Sequence, residues 1–178
     1  NQISSVCSII LDVAIKYLLK KHEARWGVPR GTDGKRTQLV LIGLGKLGGQ
    51  EMNYSNNLEL MCIYESDGET DGSRPQTNRV FFNAIVEDLK KMLGSTLNEE
   101  VIYQINYQAN PTIDSMVMTT KDAWRYFDVS GRTSERQSLI KSRPVAGDLD
   151  LGEQFLSRLE SWIYPHYLSV AEITEIKA

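Results

Sequence analysis

The chain has 178 residues, 41% of them hydrophobic and 24% charged, and a formal net charge of −3. These values suit an ordinary globular protein of one domain or one and a part, and the acidic balance argues against a nucleic-acid partner. Two cysteines, Cys7 and Cys62, make neither a disulfide framework nor a zinc site, and fit a reduced, cytoplasmic setting.

Residues 3–22 bring Ile3, Val6, Ile10, Val13, Ile15 and Leu18 near helical spacing and predict an amphipathic packing helix. Asp12 and Lys16 interrupt it and no basic leader precedes it, so no membrane span is expected. The chain starts without Met and stops inside a helical pattern, as expected of a segment cut from a longer protein. Residues 27–37, GVPRGTDGKRT, predict a loop. An apolar run at 39–42 breaks at Gly43-Leu44-Gly45-Lys46-Leu47-Gly48-Gly49, and a second run follows at 58–64: strand, glycine turn, helix start, strand. Cys62, inside the second run, is expected to be a small core residue. Residues 65–75, ESDGETDGSRP, lack the ligand spacing of a calcium loop and predict a solvated acidic loop.

Residues 77–94 predict a helix carrying Val80, Phe81, Ala84, Ile85, Leu89, Met92 and Leu93, stopped by Gly94. Residues 100–108 alternate as a half-buried strand, ended by Asn110-Pro111, and 113–119 add a short edge strand. From Lys121 onward the pattern is helical, at 121–128, 133–143, 150–164 and 171–177. The expected organisation is an N-terminal helix (1–22), an α/β domain (23–119) and an incomplete helical domain (120–178).

A glycine turn entering a helix converges backbone N–H groups where a phosphate can sit. Gly43, Gly45 and Gly48 also satisfy G-x-G-x-x-G, with Glu65 ending the next strand, which is the fingerprint of an NAD(P)-binding Rossmann oxidoreductase domain. Against that reading, the crossover helix would run through Gly48-Gly49 and then Asn53 to Asn57, with almost no apolar stripe.

The run GLGKLGGQEMNYSNNLEL (43–60) resembles the signature of the glutamine synthetase adenylyltransferase family, G-x-G-K-L-G-G-x-E-L-N-x-S-S-D-I-D-L. Further matches follow in the family's order: DGET at 67–70, VIYQINYQANP at 101–111 and GRTSERQSLIKSRPVAGD at 131–148. The resemblance implies an α/β (α+β) nucleotidyltransferase fold with a small mixed sheet, an N-terminal helix and the start of a C-terminal helical bundle. It implies attachment of AMP to a tyrosine of glutamine synthetase or its removal, with ATP and Mg2+ as cofactors. Glutamine synthetase, a PII-type signal protein and further domains of the same parent chain are the implied partners. The DGET loop and the GRTSERQ run resemble the removing half. Nucleotide contacts are expected from Gly43, Gly45, Lys46, Gly48, Gly49, Lys141 and Arg143.

Adenylyl transfer is an in-line displacement at phosphorus assisted by two divalent ions. Magnesium takes oxygen ligands, chiefly carboxylates, and acids spaced i, i+2 on a strand share a face. The family's three acid positions fall here on Asn57, Glu59 and Asn106, leaving Glu59 as the single metal-ligating carboxylate. Two family arginines fall on Gln108 and Asn110. A unit charge pair at ~4 Å is worth about 4 kcal/mol at an effective dielectric near 20, so two amides in place of carboxylates should leave a two-metal site empty. The expectation is a catalytically impaired, regulatory domain; the alternative is an active one recruiting Glu51 or Glu65. Read structurally, Asn57 and Asn106 are turn and strand residues bonded to backbone, the glycines serve the turn, and Lys46 faces phosphate or solvent. Lys141 and Arg143 sit i, i+2 on a helix and cannot fully share a face. Arg132, Glu135 and Arg136 predict a structural ion pair, while His22 and His166 show no pattern for catalysis or metal.

Overall fold

The computed structural model describes residues 2–54, 57–94, 96–97, 100–101, 103–107, 115–167 and 172–174. The chain runs α1 (Gln2–Trp26), β1 (Pro29–Gly31), β2 (Leu39–Gly43), α2 (Gly45–Gly48), β3 (Asn57–Tyr64), β4 (Gly68–Thr70) and α3 (Asn78–Leu93). It continues with β5 (Thr96–Leu97), β6 (Glu100–Val101), β7 (Gln104–Tyr107), β8 (Val117–Thr119), α4 (Thr120–Ser130), α5 (Thr133–Leu139), β9 (Arg143–Gly147) and α6 (Leu149–Ile163).

A five-stranded mixed sheet organises the fold, in the order β7-β3-β2-β9. β2 is antiparallel to both β3 and β9. β7 runs parallel to the first half of β3 and β8 to its end, reached through the α3 crossover, since parallel partners need such a connection. All five residues of β2 are buried, as expected of a central strand covered on both faces. On one face Leu39, Leu41, Leu58, Leu60, Cys62 and Tyr64 pack with α1 and α3. On the other, Val40, Ile42, Met61 and Ile63 pack with α4, α5 and α6. Cys62 is wholly buried, and burial pushes its thiol pKa up, so it is the small core residue the sequence predicts.

Several expectations need correcting. The buried stripe of α1 is Ser4, Cys7, Leu11, Ala14, Ile15, Leu18 and His22, while Val6 and Val13 are 53% and 62% exposed. Long and apolar enough to cross a membrane by length and composition alone, α1 here packs that stripe against β9 and α3. In α3 the inward residues are Asn78, Phe81, Phe82, Ile85, Val86, Leu89 and Leu93; Val80 and Met92 face outward. The predicted loops at 27–37 and 65–75 each contribute a strand, β1 and β4, paired antiparallel. Asp71 holds this ribbon by accepting from Val28 N at 2.7 Å and from Arg30 Nε at 2.9 Å, which keeps its carboxyl pKa below the usual range. Asn78, fully buried at the start of α3, shares the two hydrogens of its Nδ2 among Arg30 O, Thr37 Oγ1 and Ser66 O, tying the ribbon to α3 and to the segments flanking β2 and β3.

The largest correction is β9. The helix expected at 133–143 stops at Leu139, and residues 143–147 form an edge strand beside β2. Pro144 has no N–H to give, and proline in a sheet is confined to such edges and bulges; the register shifts beside it, opposite Leu41 and Ile42. β8, three buried residues beside the end of β3, realises the last part of the edge strand expected at 113–119. The alternation expected at 100–108 holds in β7, with Ile105 buried and Gln104 and Asn106 exposed. Residues 108–114, with Gln108, Asn110 and Pro111, lie outside the described residues, and of the helix expected at 171–177 only 172–174 are described, as helix.

His22, without a predicted role, fixes α1 to α3. Asp88 accepts from Lys21 Nζ at 2.8 Å and lies 3.1 Å from His22 Nε2. The Lys21 hydrogen bond holds the Asp88 carboxyl pKa down, against burial, and His22 adds to the effect. A carboxylate with a depressed folded pKa contributes stability above its unfolded value near 3.9 and loses it as pH falls through the folded value. Asp88→Asn is therefore expected to cost about 1 kcal/mol at pH 7, discounted for partial solvation. In urea denaturation, that difference should shrink progressively as pH falls below about 4.

Candidate functional site

The glycine turn is built by close packing. Gly45 adopts φ +50, a conformation side chains rarely take. A Cβ there would stand 2.8 Å from Glu59 Oε2, so the Glu59 carboxylate rests against the bare glycine. Leu44 N donates to Glu59 O at 2.9 Å and locks the turn onto β3. A Cβ on Gly48 would meet Lys141 O at 2.2 Å and Gly43 O at 2.4 Å, so α2 is pressed between β2 and the turn before β9. Gly49 N closes back on Gly45 O at 2.9 Å. Lys46 stands exposed on α2.

Asn57 and Glu59 are exposed positions of β3 that alternate with buried Leu58 and Leu60. They share the sheet face of Met61 and Ile63, beyond the part that α4–α6 cover. In β7, Asn106 stands directly beside Glu59 in register, and Gln104 beside Asn57; neighbouring strands lie about 4.8 Å apart. The three family acid positions are thus gathered on one open face next to the glycine turn. Sequence reasoning missed Gln104, although the same alternation that marks Asn106 also marks it.

Other candidates lie elsewhere. Lys141 belongs to the turn after α5, not to a helix, and its Nζ donates to both oxygens of Glu51, at 2.8 and 3.0 Å. Arg143 opens β9 opposite Gly43, and its Nη2 donates to Ser8 Oγ of α1 at 3.1 Å. That contact carries it to the α1 side of the sheet, away from Glu59. Burial lowers its pKa, and its Nε is buried without a partner among the described residues. Glu65 follows the far end of β3, about 20 Å along the strand from Glu59 at roughly 3.3 Å per residue, and does not join the cluster. In the DGET run, Asp67 accepts from Tyr64 Oη at 2.7 Å, and Gly68–Thr70 form β4. Glu135 caps α5 by accepting from Arg132 N at 2.8 Å. It also accepts from Tyr126 Oη at 2.7 Å; burial first, and this hydrogen bond second, push the tyrosine up to about 12. Arg136 reaches Glu172 at 2.5 Å instead of forming the ion pair expected with its neighbours.

The dinucleotide reading fails on topology. That fingerprint belongs to a turn joining parallel strands through a full crossover helix, whereas β2 and β3 are antiparallel and α2 has four residues. The residues also fit a pair of magnesium ions poorly. One carboxylate and two neutral amides occupy the three positions, and the described residues contain no group of three or more His, Cys, Asp or Glu able to hold a metal.

An antiparallel strand–glycine turn–strand unit, with the next strand added in parallel beside the second, places the chain among nucleotidyltransferase-type α/β domains. Residues 1–158 match the GlnE family, described as glutamate-ammonia ligase adenylyltransferase, and the chain belongs to that family. A bifunctional glutamine synthetase adenylyltransferase/adenylyl-removing enzyme of Thioalkalivibrio sulfidiphilus is 32% identical over 173 residues, covering 94% of this chain and 18% of the relative. Proteins of the same name from Methylococcus capsulatus and Hahella chejuensis are each 29% identical, over 100% of this chain and 19% of theirs. The chain spans about a fifth of the length of these relatives.

Proposed function

We propose that this chain is a nucleotidyltransferase domain of a glutamine synthetase adenylyltransferase-like protein, impaired in catalysis and regulatory in role. The observation that carries this reading is the open face where Asn57, Glu59 and Asn106 meet with one carboxylate among them. ATP and Mg2+ are the cofactors of the family's chemistry; here exposed Lys46 is what the turn at 43–49 holds out to a phosphate, the N–H groups of Leu44, Gly48 and Gly49 being already bonded within the turn or to β3, and nucleotide binding is weak or absent. Glutamine synthetase, a PII-type signal protein and further domains of a longer parent chain are the proposed partners, in the cytoplasm. A second reading, an active domain recruiting Glu51, draws on that residue's place beside Gly49, 3.4 Å from where a Cβ would sit. Lys141 already neutralises it.

Thermal shift and a direct assay test the proposal together. A ligand that binds only the native state stabilises by RT ln(1 + [L]/Kd). The expected result is no magnesium-dependent shift with ATP, and AMP transfer to or removal from glutamine synthetase no faster than in Glu59→Ala. A shift that appears with ATP only when magnesium is added, or turnover clearly above that control, overturns it.

A further inference from the structure

α4 and α6 flank an open groove of about 790 Å³ that shares no residue with the glycine turn or the acid positions. Its rim carries three cations, Lys121, Arg125 and Arg158, against one acid, Asp128, a local excess of two positive charges on a chain of net charge −3. None of the three cations enters a salt bridge among the described residues. Its apolar part comes from Trp124, Trp162, Leu159 and Val129, the last 77% exposed at the lip.

Both indoles pack against neighbouring side chains. The Arg158 guanidinium lies 3.8 Å from the centre of the Trp124 ring, and Phe155 stacks on Trp124 at 5.9 Å with rings 16° from parallel. Trp162 meets Arg136 at 5.0 Å and Phe127 at 5.0 Å. These contacts hold both indoles in place as the walls of the groove. An open trough between two helices, apolar along its floor and cationic along its rim, is complementary to an amphipathic helix with acidic flanks.

We propose that the α4–α6 groove docks an acidic amphipathic helix of a partner polypeptide, with Arg125 and Lys121 on one bank and Arg158 on the other meeting its carboxylates. Trp162 and Val129 meet its apolar stripe, over a base formed by the buried Leu159. The site is independent of whether the glycine turn binds nucleotide.

The probe is a synthetic 16-residue helical peptide with Leu at i, i+3, i+7 and i+11 and Glu on both flanks, titrated against the full chain. Two of the chain's three tryptophans line the groove, so intrinsic fluorescence reports occupancy. The expected result is saturable binding that weakens as salt shortens the Debye length from about 10 Å at 0.1 M. The same peptide with Lys for Glu should not bind. Arg125→Glu/Arg158→Glu should weaken binding by about tenfold or more, and Arg125→Lys/Arg158→Lys should largely restore it, with circular dichroism and thermal midpoint confirming that both variants fold. Equal binding of the Glu and Lys peptides, no binding of either, or an unchanged affinity in the folded charge-reversal variant overturns the proposal. So does concentration-dependent self-association lost in that variant, which would assign the groove to a second copy, or displacement of the peptide by ATP, which would assign it to nucleotide.

Discussion

Converting Asn57, Glu59 and Asn106 together to aspartate is expected to create a magnesium site. The backbone is already arranged for it: positions 57 and 59 share one face of β3, and 106 stands beside 59 in parallel register. Each added carboxylate brings about 4 kcal/mol of attraction per unit of cation charge at ~4 Å and an effective dielectric near 20. Part of that gain offsets desolvation of the ion and mutual repulsion of the acids. Two new charges facing a divalent ion should still raise affinity by several orders of magnitude. Calorimetric titration with Mg2+ and Mn2+ reads this directly. The triple variant should also lose stability without metal, because three uncompensated acids repel, and regain it on metal addition. Failure to bind either ion while the variant remains folded would mean that the cleft has drifted from its family geometry as well as lost its charges.

The second large effect is expected at Gly48. Alanine there puts a Cβ 2.2 Å from Lys141 O and 2.4 Å from Gly43 O. Both obstacles are backbone, so no rotamer change relieves them, and α2 must move off β2 or the 140–142 turn must open. Overpacking typically costs 1–3 kcal/mol and more where backbone must yield; about 3 kcal/mol is expected, read as a lower urea midpoint with unchanged m-value. Gly34, also at positive φ but with nothing within 4 Å of its Cβ position, is the control. Its alanine variant carries backbone strain alone and should cost about 1 kcal/mol.

The sequence makes some of this architecture legible and hides the rest for definable reasons. The strand–glycine turn–strand unit stands out because apolar runs broken by glycine punctuate the chain strongly. The face shared by positions 57 and 59 follows from alternation alone. The inward stripe of α1 is concealed because four of its seven buried positions are Ser4, Cys7, Ala14 and His22, small or polar residues, while Ile9 and Val13 are 62% exposed. β9 is concealed by Pro144, which reads locally as a breaker and acquires its meaning only from a partner strand 100 residues earlier in sequence, at Gly43. The same distance effect scatters the basic candidates. Lys141 and Arg143 look like neighbours in sequence, yet one pairs with Glu51 and the other crosses to Ser8. The α4–α6 groove could not be found by motif, because its walls come from two helices about 30 residues apart.

The late arrival of β9 shapes how the molecule is made. Arg143 pairs with Gly43, so one side of the fully buried β2 has no hydrogen-bond partner until about 100 further residues have been synthesised, roughly 5–20 s at ordinary elongation rates. For that interval the nascent chain presents a row of unpaired backbone N–H and C=O groups on a strand with only apolar residues, the kind of template that recruits another strand. Until β9 arrives, this edge is the place where pairing with a strand of another chain is expected to begin.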